Sequence, residues 1–136
     1  MDATTLEYGM SLTTHMPWER ALERTRSALA AEGFGVLSEI DVRATLRKKL
    51  DVDFRPYMIL GACNPPMAHR ALTAEPNIGL LLPCNVIVYA GDDPETSVVA
   101  AIDPEASLAR VGNPDLAPVA AEVKARLRRV LDAVAA

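Results

Sequence analysis

Seven residues, Tyr57-Met-Ile-Leu-Gly-Ala-Cys63, run almost without a polar interruption and stop at Asn64-Pro65-Pro66. An apolar run of this length reads as a central strand, covered on at least part of both faces. Gly61 within it marks a bend or a close approach by another backbone. Asn64 suits a helix N-cap, and Pro65 and Pro66 suit a first turn, where a missing N–H costs nothing. A strand that turns at once into a helix is therefore the unit around which the chain must fold. The unit also carries chemistry, because Cys63 ends the strand and His69 lies on the helix.

The flanking sequence supplies more elements. Residues 4–12 read as a first strand, with Leu6, Tyr8 and Met10 at period two. Pro17 opens a helix to about residue 32, whose Trp18, Leu22, Thr25 and Leu29 share one face, and Gly33 supplies the left-handed end. Residues 34–40 form a second strand with Phe34, Val36 and Ile40 on one face and Ser38 as a core serine bonded to backbone. Asp41 caps a short helix over 42–50 with Val42, Leu46 and Leu50 inward, and with Arg43, Arg47, Lys48 and Lys49 as a solvated basic face. In the helix after Asn64, Ala68, Ala71 and Leu72 form a small-residue inner face that permits close packing.

Residues 76–82 return the chain to the sheet. Strands over 85–90 and 96–102 flank the acidic turn Gly91-Asp-Asp-Pro-Glu95 and form a hairpin. Asp103 caps a helical turn that begins at Pro104. A last helix over 118–133 presents Val119, Val123, Leu127, Val130 and Val134 on one face. The order βαβαβαββα predicts an α+β two-layer sandwich: one largely antiparallel sheet with helices mainly on one face. It excludes a dinucleotide-binding fold, since no G-x-G-x-x-G follows the first strand.

At 136 residues, half of them hydrophobic, the chain fits a single domain spanning residues 1–136. Eighteen acidic against 14 basic residues leave a net charge of −4, which argues against a nucleic-acid partner. No apolar run spans a membrane and the first residues lack a signal-peptide pattern, so a cytoplasmic location is expected, with two cysteines as thiols rather than a lasting bridge.

The unusual residues converge on adjacent strand ends. Cys63 precedes a helix N-terminus, whose partial positive charge favours a thiolate, and Cys84 begins the next core strand. If those strands are antiparallel neighbours, the two sulfurs approach each other. Three readings stay open. Cys63, Asn64, Pro83 and Cys84 have sufficient structural roles, making this a purely structural interaction domain. Alternatively, Cys63, Asn64, His69, Cys84 and Asn85, with Arg55 nearby, line a small-ligand pocket. In it Cys63, His69 and Cys84 would be the candidate ligands for zinc, or a thiolate would hold haem iron, although the spacing matches no standard metal motif. The third reading is a thiol-dependent redox enzyme, Cys63 attacking and Cys84 resolving, without the C-x-x-C spacing of such motifs.

Gly33-Phe-Gly-Val-Leu-Ser-Glu-Ile-Asp-Val42, Phe54-Arg-Pro-Tyr57, Gly61-Ala-Cys-Asn-Pro-Pro-Met-Ala-His69 and Leu82-Pro-Cys-Asn85 together resemble domain of unknown function family 302, in the same order across residues 8–109. The resemblance implies a two-layer sandwich like one repeat of the TATA-binding-protein fold, and a homodimer. It implies no catalytic residues and names no cofactor, which turns the expectation from enzyme toward a binding or sensor-like protein.

Overall fold

A computed structural model describes residues 2–136. Six strands form one sheet in the order β1-β2-β6-β5-β4-β3, with every neighbouring pair antiparallel. The strands are β1 (Asp2–Thr5), β2 (Gly9–Thr14), β3 (Gly35–Asp41), β4 (Tyr57–Cys63), β5 (Cys84–Ala90) and β6 (Ser97–Ile102). The helices are α1 (Trp18–Ala31), α2 (Val42–Leu50), α3 (Pro65–Ala74), α4 (Pro104–Ala109) and α5 (Ala117–Ala135), with 3₁₀ segments at Pro76–Leu81 and Pro114–Leu116. This is the α+β two-layer arrangement that the periodicity predicts, and the apolar run of β4 lies inside the sheet.

Strand alternation divides the sheet into two faces. Leu60 and Ala62 of β4, Val86 and Val88 of β5 and Val99 of β6 are buried against the helices. α1 and α5 cover them, α1 through Leu22, Thr25 and Leu29 and α5 through Val119, Val123, Leu127, Val130 and Val134, the residues expected from their spacing. The Trp18 indole N–H donates to the Val88 carbonyl at 2.9 Å and ties the start of α1 to β5. At the other end of α1, Gly33 takes φ 82°, and Arg126 of α5 donates to the Glu32 carbonyl at 2.9 Å. A left-handed residue and a guanidinium thus serve the carbonyl end of one helix.

Three expectations are overturned. The stretch over residues 4–12 is two strands, not one: the chain reverses at Leu6–Gly9, and Tyr8 is 72% exposed instead of sharing a face with Met10. Ser38 is exposed, not in the core, because β3 is an edge strand with a bulge between Val36 and Ser38. One extra residue moves everything after it to the other side, so Val36 pairs with Ala62 on the helix face while Ile40 pairs with Ile59 on the opposite face. Ser38 lies over Gly61, where a Cβ would also come within 2.8 Å of Pro83 Cγ; this is the close approach that Gly61 implied. Finally, α2 has no buried residue, and Leu50 is 65% exposed rather than inward. That helix follows the edge strand and packs mainly on β3 and β4, so its apolar side finds little to cover it. Its basic side is exposed as expected, with Arg47 paired to Asp53 at 2.9 Å.

Candidate functional site

β4 delivers Cys63 to the sheet end and Asn64 converts strand to helix. The Asn64 carboxamide oxygen accepts from the Met67 N–H at 3.3 Å, satisfying one of the orphan donors of the first turn. α3 and the 3₁₀ segment lead back through a cis Leu82–Pro83 peptide to Cys84, which stands opposite Ala62 in the ladder. β4 and β5 are thus antiparallel neighbours, with Cys63 one residue past the ladder partner of Cys84, and both thiols are free.

Above these strand ends is an apolar cleft of about 270 Å³. Its floor is Ala62, Cys63, Asn64, Pro83 and Cys84; α3 contributes Met67, Ala68, Ala71 and Leu72. The far wall is Leu108 of α4 with Val119 and Val123 of α5, and Phe34 and Leu37 close the side toward β3. Small side chains at 68 and 71 were expected to let α3 pack closely. Ala71 is packed into the core, and both alanines also border the cleft. Ala71 is 2% exposed, whereas Leu72 at the mouth is 41% exposed.

The six predicted site residues fall in four places. Cys63, Asn64 and Cys84 line the cleft. His69 is exposed on α3 and does not line it; the Thr73 hydroxyl donates to the His69 carbonyl at 2.7 Å, within the helix. Asn85 follows Cys84 in an extended strand, so it points to the opposite sheet face, where it borders a groove with Ile87, Tyr89 and Ala100. Arg55 precedes β4 and so lies a strand length, roughly 20 Å, from the cleft. There it donates to the Ala90 carbonyl at 3.0 Å, pairs with Asp92 at 3.1 Å and sits 5.8 Å from the Tyr89 ring centroid. Among the described residues no three His, Cys, Asp or Glu side chains come together as a metal site. Leu37 and the α4 and α5 wall were not foreseen as site residues; an apolar residue at a cavity has the same sequence signature as one in the core.

Burial, and secondarily the proximity of Cys63, pushes the Cys84 thiol up to about 11. It is a neutral thiol at physiological pH, and it behaves as a small hydrophobe in this wall.

These features define a class: a two-layer α+β domain with a helix-covered antiparallel sheet and a thiol-bearing apolar cleft at its strand ends. Residues 10–134 match the family described as Domain of unknown function DUF302, and the chain belongs to that family. A similar solved structure is the crystal structure of uncharacterized conserved protein DUF302 from Bacillus stearothermophilus. It is 31% identical, with a TM-score of 0.85 over 93% of this chain and 97% of that one. No curated protein matches the chain.

Proposed function

We propose that this protein is a small-ligand-binding, sensor-like domain, not an enzyme, and that its ligand occupies the cleft above the ends of β4 and β5. The observation that carries this reading is the cleft itself, about 270 Å³ of space walled by seven separate elements, three strands, three α-helices and a 3₁₀ segment. Ligand pockets commonly begin near ~300 Å³, so the occupant is small. A molecule held there bridges the strand ends to α3, α4 and α5, and a ligand that binds only the folded state stabilises it, by about 2.7 kcal/mol at a hundredfold excess over Kd. A fragment screen read by thermal denaturation tests this. Hits that raise Tm in the wild-type chain and lose the effect in Ala71→Phe, which fills the cleft, support it. A screen with no hit sensitive to that substitution refutes it.

The same reading makes the protein a homodimer and places it in the cytoplasm. Support for the dimer is the sheet face turned away from α1 and α5, where Ile59, Ile87, Val98 and Ile102 are only half-buried and Tyr57 stacks on Tyr89 at 5.2 Å. The alternative of a thiol-dependent enzyme is favoured by two free thiols on neighbouring strand ends. It is disfavoured by Cys84, whose thiol at about 11 is a poor nucleophile and a poor leaving group near neutrality.

A further inference from the structure

We infer that the cleft selects an uncharged aromatic molecule of about two fused rings, an inference that rests on reading the cleft as a ligand site. Its wall contains no Asp, Glu, Lys, Arg or His side chain. The polar side chains it does hold are few and uncharged. The Asn64 oxygen is occupied by the Met67 N–H, and among the described residues no buried side-chain nitrogen or oxygen lacks a hydrogen-bond partner. What remains is the uncharged Asn64 carboxamide nitrogen and two thiols, and thiols are weak donors and acceptors. A carboxylate, phosphate or ammonium entering this space gives up its hydration and meets no opposite charge, with a single neutral carboxamide as its strong hydrogen-bonding partner.

Size and softness narrow the class further. An apolar cavity of about 150 Å³ holds benzene, so about 270 Å³ accommodates a larger ring system. Three sulfur-bearing residues, Cys63, Met67 and Cys84, line the space, and polarizable sulfur contacts ring edges favourably, which favours an aromatic ligand over an alkyl chain. The entrance is apolar as well: Leu37, 69% exposed, and Leu72, 41% exposed, both border it.

Titration of the full chain with naphthalene, naphthoate and naphthylmethylammonium, followed by amide-resolved NMR, tests this. Naphthalene is expected to saturate at one per chain, to shift the amides of Ala71, Leu72 and Val123, and to bind at least about tenfold more tightly than either charged isostere. Val123→Phe is expected to abolish those shifts, with Ala71→Leu as a milder filling variant should the first not fold. If a charged isostere binds as tightly as naphthalene, the ligand class is wrong and the cleft remains a binding site. If no probe of any charge shifts those amides, the ligand-site reading falls and this inference with it. If the filling variants instead dissociate a dimer, a second copy occupies the cleft and the inference is overturned.

Discussion

Cys84 and Asp103 are partly or fully buried ionisable residues whose environments push them in opposite directions. Burial raises the Cys84 thiol to about 11, reinforced by the nearby Cys63. Because this lies above the unfolded thiol value of about 8.5, the folded state binds the proton more tightly. Its contribution to stability is complete below that unfolded value and is lost as pH rises toward the folded one. Alkylation of Cys84 by iodoacetamide, mapped by peptide mass, should accordingly be slow at neutral pH and keep accelerating up to about pH 11. A rate that has levelled off by about pH 9 would show that burial does not control this thiol. For Asp103 burial also acts upward, but the Lys124 ammonium at 2.9 Å and the N–H groups of Ala106 and Glu105 outweigh it and hold the carboxyl below its ordinary value. That stabilisation is present above the unfolded value of about 3.9 and is lost as pH falls through the folded one. Asp103→Ala should cost about 1 kcal/mol at neutral pH through loss of the α4 cap. Asp103→Asn keeps a capping oxygen and removes the charge, so urea titrations of this variant should show a weaker loss of stability on acidification than wild type. An unchanged acid response in Asp103→Asn would remove Asp103 from that role.

At the scale of elements, caps are the most legible feature. Asp41, Asn64 and Asp103 each accept from a backbone N–H two or three residues ahead, as their positions before a helix imply. Such bonds join neighbours in sequence and need no tertiary information. Asn64→Ala should therefore destabilise by about 1 kcal/mol, whereas Asn64→Asp should come close to wild type. Equal losses in the two variants, measured by chemical denaturation, would mean that the amide's place in the cleft wall matters more than the cap. α1 and α5 were legible in the same way, since a 3.6-residue period survives whatever packs on it. β3 was not. Its bulge at Leu37 and its place at the sheet edge depend on β4, and both leave Ser38 and Ile40 where simple alternation does not put them. α2 was legible as a helix but not in its exposure, because an apolar stripe does not reveal whether anything covers it.

For the whole molecule the open sheet face is the feature that the chain's own helices leave unresolved. Ile87→Lys, on that face, should leave the monomer fold intact and shift a dimer toward monomers in sedimentation equilibrium, because a charge there meets its own copy across a two-fold interface. A wild-type chain that sediments as a monomer at high concentration would end the homodimer reading. Within about four residues the sequence encodes a period, a cap or a turn, and these determined the helices, most of the strands and the two-layer class. Tertiary structure decided everything that depends on alternation and on distance along a strand. It separated Asn85 from Cys84 by turning consecutive side chains to opposite faces, and Arg55 from Cys63 by the length of β4. It also made the cleft, which belongs to no segment: its volume is what remains between seven elements after each has met its own local requirements.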